Sequence, residues 1–378
     1  MDASICNTSE NYLKARVIAY YLPQFHPIPE NDMWWGKGFT EWTNVGKARP
    51  LYRGHYQPRV PADLGYYDLR LPEIREAQAE MARNAGVEGF MYWHYWFGNG
   101  KRILERPFSE MLASKKPNFP FCLGWANHSW SNHSWKATTK LKKESVLIKQ
   151  EYPGVKDIEN HFFHLLPAFL DSRYLRISNK PIFLIYDPLA IPDIRLLFDK
   201  WNRLAQNNGL SGIYFIGLAN GWRSNFQKIL NLGFDAVNTN GQWHAESVIN
   251  GYFIKMIKHK IIQKFGGLLT DKYKYKDIIK NFYSDYERIE NFYPTIIPQW
   301  DRTPRSGRGA SMYTGSHPSL FKEHILEALS RISHKPYENR ILFLKSWNEW
   351  AECNYVEPDI VYGNGYLDAI KDCIVRSF

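Results

Sequence analysis

Cysteine is scarce in this chain: Cys6, Cys122, Cys353 and Cys373 are the only four in 378 residues. They form neither a C-x-x-C pair nor a disulfide framework, which argues against a stapled secreted scaffold and for a reducing compartment. No apolar run approaches the roughly 18 residues of a membrane span. The opening segment MDASICNTSENYLKAR contains no apolar signal core. A cytoplasmic protein is therefore expected. Also missing are a G-x-G-x-x-G after the first apolar run, any D-x-D, an RNP motif, zinc-knuckle spacing, a basic helix with heptads, an H-x-H on the first strand and an H-x-x-x-H on a helix. These absences weigh against a dinucleotide site, a metal-dependent nucleotide-sugar site, nucleic-acid binding and a histidine-held metal. No cofactor and no metal are expected. Carboxylates are in deficit too, 38 against 48 Lys and Arg, and the net charge of +10 favours an anionic partner such as an acidic glycan or an anionic membrane surface.

Aromatic residues, by contrast, are abundant. They make up 16% of a chain that is 44% hydrophobic, with 14 Trp and 24 Tyr. A core has limited use for so many, because a buried Trp or Tyr must also satisfy its N–H or O–H. Amphipathic rings in excess suit a surface that binds sugars; a Trp-rich core is the alternative.

Short apolar, β-branched and aromatic runs recur at 16–25, 89–97, 119–127, 180–188, 212–220, 234–240, 295–301 and 341–350. Near-continuous apolar runs are the mark of strands covered on both faces, as in a parallel sheet. Helical patterns lie between them at 71–85, 156–171, 191–207, 222–231, 318–333 and 364–376. The first has Pro72 at its start, Gly86 past its end and a predicted buried stripe of Ile74, Ala77, Met81 and Ala85. Eight strands alternating with helices predict an α/β fold, a (β/α)8 TIM barrel, with a doubly wound sheet as the alternative. The domain reading is a tail over 1–15 and one catalytic domain over 16–378, with an insertion at about 241–294. That insertion and residues 26–70 are too long for minimal connections and belong on the C-terminal face, where barrel enzymes keep their sites.

In a barrel the strand tips converge. They carry Gln24 and His26; His94 and Trp96; Trp125, Asn127 and His128; Asp187; Asn220; Asn240, Gln242 and Trp243; Trp300 and Asp301; and Trp347, Asn348, Glu349, Trp350 and Glu352. Aromatic faces take the apolar face of a pyranose, amides hold its hydroxyls, and two acids complete what glycosidic cleavage needs. Glu349 and Glu352 stand an odd distance apart, so both can face one mouth only if the chain leaves strand geometry after Trp350. The structural alternative is that one glutamate pairs with an arginine such as Arg305 or Arg49.

The segments YYLPQFHPIPENDMWWGKGFTEWTNV (20–45), GHYQPRVPADLGYYDLR (54–70), GFMYWHYWFGNGKRILERPF (89–108), FCLGWAN (121–127), QWDRTPR (299–305) and KSWNEWAE (345–352) resemble the WbsX family, named as glycosyltransferases and similar to glycoside hydrolase family 99. The resemblance runs from Arg16 to about Leu367. It implies a (β/α)8 barrel and a retaining, metal-independent, two-carboxylate mechanism. In that mechanism Glu349 acts as base on a sugar 2-hydroxyl, giving a 1,2-anhydro intermediate, and Glu352 acts as general acid and then base. A proton on Glu352 near neutral pH would require a raised pKa, which the neighbouring tryptophans could supply by desolvation. The implied substrate-binding set adds Trp42 to the strand-tip residues. The sequence departs from the resemblance at His128: Trp125-Ala126-Asn127-His128-Ser129-Trp130 places an imidazole where many relatives have a carboxylate, consistent with an acidic or N-acyl sugar.

The expected substrate is a bacterial surface oligosaccharide or polysaccharide or its precursor, with lipid linkage left open. A glycosyltransferase or transglycosylase of O-antigen or capsule biosynthesis is one alternative, since only the acceptor changes. A carbohydrate-binding protein without catalysis is another. In the insertion, Phe253, Met256, Ile257, Ile261 and Phe265 are spaced for one helix face, with Lys255, Lys258, Lys260 and Lys264 largely elsewhere. Such a helix either packs on the barrel as a lid or lies peripherally on an anionic inner membrane.

Overall fold

The apolar runs form eight parallel strands in the computed structural model, which describes residues 12–131, 146–221, 224–264 and 271–376. They are β1 (Arg16–Tyr21), β2 (Val87–His94), β3 (Phe121–Trp125), β4 (Lys180–Ile185), β5 (Tyr214–Asn220), β6 (Ala236–Asn240), β7 (Phe292–Ile296) and β8 (Ile341–Leu344). Each pairs with its sequence neighbours, and β1 pairs with β8 (Val17 opposite Leu342), so the sheet closes into a (β/α)8 barrel. β1, β3, β6, β7 and β8 are buried along their whole length, as strands between a filled barrel interior and a helix layer must be.

The helices at Pro72–Asn84, Val155–Phe169, Ile194–Asn207, Ser224–Asn231, Pro318–Ile332 and Gly365–Ile374 match the sequence patterns; positions 222 and 223 lie outside the described residues. The stripe of the first is displaced by about one position. Arg75, Gln78, Ala79 and Ala82 are buried, while Ile74 and Met81 only flank the core. The reason is polar. Arg75 reaches Glu110 Oε2 (3.1 Å), and Gln78 accepts from the Tyr21 hydroxyl (2.6 Å) and donates to Glu357 Oε1 (2.6 Å). Arg106–Ser114 and Gln242–Asn250 are helices that the sequence patterns did not reveal.

The two long connections both leave the C-terminal ends of strands. Residues 26–70 carry helices Pro29–Trp35 and Glu41–Lys47. The connection after β6 carries Gln242–Asn250, Tyr252–Lys264 and Tyr275–Lys280, and its strand Asp271–Lys274 pairs with Ser311–Thr314. Glycine is required where it begins, since a Cβ at Gly241 would stand 1.8 Å from the Phe282 carbonyl oxygen. On helix Tyr252–Lys264 the expected faces are inverted. Phe253 is 71% exposed and Ile257 and Ile261 are exposed as well, whereas Lys255 is buried, paired with Glu246 and 3.6 Å over the Trp243 ring. Phe265 and the side chains of Lys258, Lys260 and Lys264 lie outside the described residues, as does Cys6. Cys122, Cys353 and Cys373 are buried free thiols. Among the described residues no helix is long and apolar enough to cross a membrane.

Candidate active site

The chain after β8 is fastened to its neighbours before it turns. Lys345 N–H donates to Ile296 O (2.9 Å) and Trp347 N–H to Tyr20 O (2.8 Å). The Asn348 amide clasps the Leu22 backbone in both directions, accepting from its N–H (2.8 Å) and donating to its carbonyl (3.1 Å). Asn348–Glu349 then pairs antiparallel with Asn354–Tyr355 around a 3₁₀ turn at Trp350–Glu352, which closes on Cys353 in the left-handed region (φ 44°). The break in strand geometry turns Glu349 and Glu352 into one cavity of about 580 Å³, within the size range of small-molecule sites.

The tryptophans between and beside the glutamates face the other way. Trp347 and Trp350 donate to the two oxygens of Glu357 (2.9 and 2.6 Å), which also accepts from Tyr67 (2.8 Å) and Gln78. Trp350 stacks on Tyr355, with centroids 3.7 Å apart. These rings form the floor under the turn. Burial raises the Glu357 carboxyl to about 7.

The two cavity glutamates titrate in opposite directions. Burial, and then the charge of Glu352, raise Glu349 to about 7. Burial alone would also raise Glu352, but Arg302, Arg305 and Lys345 outweigh it and hold Glu352 at about 2. Arg302 Nε and Arg305 Nη1 donate to Glu352 Oε1 at 3.0 and 2.7 Å. Arg305 Nη2 donates to Glu41 Oε1 at 2.6 Å, so this guanidinium bridges two buried carboxylates. The environment thus drives the two apart, and a proton shared by the pair below about pH 7 is held by Glu349. This ordering is the reverse of the raised Glu352 expected from the resemblance. Its cause is the two arginines, and the tryptophan pair does not set it. The arginine partner foreseen as a structural alternative is Arg305, whereas Arg49 is exposed.

Of the residues singled out from sequence, Gln24, His128, Asn240, Trp243 and Trp300 line the cavity with Glu349 and Glu352, as do Asn220 and Gln242. The others lie outside the lining. His26 is buried against Pro23 O (3.1 Å), and Trp42 donates to Tyr67 O (2.7 Å). His94, Trp96 and Trp125 turn into the helix layer. There His94 meets His161 (2.9 Å), Trp96 donates to Asp157 (3.0 Å) and stacks on His161, and Trp125 donates to Trp96 O (2.9 Å). Asn127 clasps the Asp187 backbone (2.8 Å in each direction), leaving Asp187 half-buried beside it. Asp301 accepts from His55 (2.7 Å), Gln57 (2.8 Å) and the Thr303 N–H (2.9 Å). Trp347, Asn348 and Trp350 hold the turn as described.

Strand alternation explains this partition. Tyr20, Leu22 and Gln24 line the cavity, as do Trp93 with Tyr95, and Ala126 with His128. Their odd-step neighbours point outward. The residues missed from sequence are Tyr20, Trp93, Tyr95 and Tyr186, the cations Arg302 and Lys345, and Glu41 behind Arg305. Among the described residues no group of three or more His, Cys, Asp and Glu could hold a metal ion.

The family model for glycosyltransferase WbsX matches residues 17–370. Two curated relatives, uncharacterized proteins WxcX from two strains of Xanthomonas campestris pv. campestris, are 33% identical over 366 residues, 97% of this chain. The chain spans about half (50%) of the length of these relatives. Among solved structures, a glycoside hydrolase-like protein superposes with a TM-score of 0.58 at 16% identity, covering 95% of this chain and 93% of the other. A GH99 endo-alpha-mannosidase from Bacteroides thetaiotaomicron, in complex with bis-tris-propane, gives 0.56 at 16% identity, covering 94% and 95%. At that identity the likeness bears on the fold, which is the same (β/α)8 barrel.

Proposed function

The chain belongs to the WbsX family of glycosyltransferases, and on that premise we propose that it makes or breaks glycosidic bonds of a bacterial surface polysaccharide or its precursor, with Glu349 and Glu352 as the reacting pair. The observation that carries this reading is that Glu349 and Glu352 turn into one cavity beside the cations Arg302, Arg305 and Lys345. The two carboxyls are well placed to address two adjacent oxygens on one edge of a sugar, the glycosidic oxygen and the 2-hydroxyl.

In the first step Glu349 takes the proton of the 2-hydroxyl, whose oxygen bonds C1 as the bond from C1 to the leaving sugar breaks. Glu352 gives its proton to the leaving oxygen. The product is a 1,2-anhydro sugar, with Glu349 protonated and Glu352 ionised. In the second step Glu352 takes a proton from water or an acceptor hydroxyl, the new oxygen bonds C1 as the C1–O2 bond breaks, and Glu349 returns its proton to O2. Two inversions at C1 give retention. The resting charge state of the empty site, with the proton on Glu349 and Glu352 held ionised by Arg302, Arg305 and Lys345, is the state reached after the first step. The fixed cations therefore favour the charge as it moves from Glu349 to Glu352, which is where preorganised electrostatics accelerates a reaction. Tyr20, Trp93, Tyr186, Trp243 and Trp300 supply ring faces for pyranoses, and Gln24, Asn220 and Asn240 supply hydroxyl partners.

Hydrolysis and transfer differ only in the acceptor. Wild type and the Glu349→Gln and Glu352→Gln variants are incubated with O-antigen and capsular oligosaccharides in ¹⁸O-water and the products are weighed by mass spectrometry. Label at the new reducing end, lost in both variants, supports hydrolysis; longer unlabelled products support transfer. Binding by wild type without any product would make the protein a carbohydrate-binding module instead. The exposed Phe253, Ile254, Ile257 and Ile261, in a segment (252–280) with eight lysines and two aspartates, favour a peripheral seat on an anionic cytoplasmic membrane face.

A further inference from the structure

Lys345 is the cavity cation that acts on the two carboxylates through its charge without bonding to either. Half-buried just past β8, its Nζ donates to Gln242 Oε1 (2.7 Å) and stands 4.5 Å from the centroid of the Trp300 ring. Among the described residues no carboxylate lies within ion-pair distance of it. Arg302 stands 5.9 Å from the centroid of the same ring. Its Nε serves Glu352, its side chain is 36% exposed, and its two terminal nitrogens make no hydrogen bond among the described residues.

The charge balance of the cavity agrees with this geometry. Arg302, Arg305 and Lys345 face Glu352 and, behind Arg305, Glu41; Glu349 holds its proton, and Glu246 is matched by Lys255. One cation is in surplus in a partly desolvated site, where charges are ordinarily paired. Trp300, near both cations and lining the cavity, is a flat platform for a sugar, fixed by its own N–H to Ser311 Oγ (3.1 Å).

We propose that Lys345 and Arg302, set around Trp300, form a subsite for an anionic group carried by the substrate close to the sugar that reacts. Two sources share this chemistry: the carboxylate of a hexuronic acid stacked on Trp300, and a phosphate attached to the donor sugar. Either one neutralises the surplus charge and gives Lys345 the ion pair it lacks. The inference rests on reading this cavity as the sugar site, and it names the class of sugar that the site prefers.

The test is calorimetric titration of the full chain with methyl glycosides of glucuronic, galacturonic and mannuronic acids, the matching neutral methyl glycosides and the matching sugar 1-phosphates, at low and high salt. A uronide or a sugar phosphate is expected to bind at least tenfold tighter than its neutral counterpart, with the difference shrinking in salt. Preference for uronides alone assigns the anion to the polymer, and preference for phosphates alone assigns it to the donor. Lys345→Met is expected to abolish the preference and Lys345→Arg to keep it, with unchanged circular dichroism in both. Equal affinity for charged and neutral sugars, or a preference that survives Lys345→Met, overturns the subsite and leaves the sugar-site reading intact. Failure of every sugar to bind overturns the sugar-site reading itself.

Discussion

Replacing Arg305 with Met isolates the bridge between the reacting pair and the loop after β1. The guanidinium is 12% exposed, and its partners Glu41 and Glu352 are 0% and 8% exposed. The variant leaves two buried carboxylates without this cation, and breaking a buried ion pair from one side costs about 3–5 kcal/mol. With unfolding entropy near 2.1 cal/mol/K per residue, a chain of 378 residues has roughly 0.8 kcal/mol/K, so the melting temperature at pH 7.5 should fall by about 4–6 °C. The pH dependence gives the sign. In wild type the Glu352 pKa is depressed to about 2, so its stabilisation is present above the unfolded value and is lost only as the pH falls toward 2. In the variant Glu352 keeps Arg302, but Glu41, already raised by burial in wild type, loses its bonded cation and rises further above its unfolded value, so stability is greater at low pH and is lost as the pH rises through the raised Glu41 pKa. Thermal melts at pH 7.5 and pH 5 should therefore show the gap narrowing by about 1–2 kcal/mol on acidification. A melting temperature within about 1 °C of wild type at pH 7.5, or a deficit equal at both pH values, would refute the reasoning.

Further outcomes follow from the same geometry. Glu349→Gln and Glu352→Gln should each lower kcat by about 10²–10⁴-fold or more, measured by product formation, while near-UV circular dichroism stays native. The pair keeps a single proton between about 2 and about 7, so kcat/KM should hold level on the acid side and fall above about 7 as Glu349 ionises; a profile rising through pH 8 would contradict the shared proton. His94 and His324 are depressed to about 3, and His161 well below its usual value, chiefly by burial. The stability they gain by staying neutral is present above pH 6.5 and lost as the pH falls, so the melting temperature should decline below pH 6.5, and His324→Phe should flatten that slope. Phe253→Glu with Ile257→Glu should abolish co-sedimentation with anionic liposomes; equal pelleting of wild type with neutral vesicles would rule out the charge contribution.

The barrel was legible because its strands are apolar on both faces, and the same property hid the phase of those strands. A half-exposed strand announces its inner face by alternating polarity, but β2 and the tip beyond it read Tyr92-Trp93-His94-Tyr95-Trp96, polar or amphipathic at every step. Selecting His94 and Trp96 took the helix-facing register in place of Trp93 and Tyr95. At β8 the odd spacing of Glu349 and Glu352 did require a turn, and the turn is there. The roles of the flanking rings were not readable, because Glu357, which holds both indoles, shares no periodicity with them. Arg302 and Arg305 stood in a quoted segment, but only folding brings them to Glu352, some 50 residues along the chain.

The Asn348 clasp on Leu22 joins the two strands that close the ring, immediately beside the reacting pair. Cyclisation of the sheet and assembly of the site are therefore one event. A fragment ending before β8 has the cavity rings from Tyr20 to Trp300 but neither glutamate.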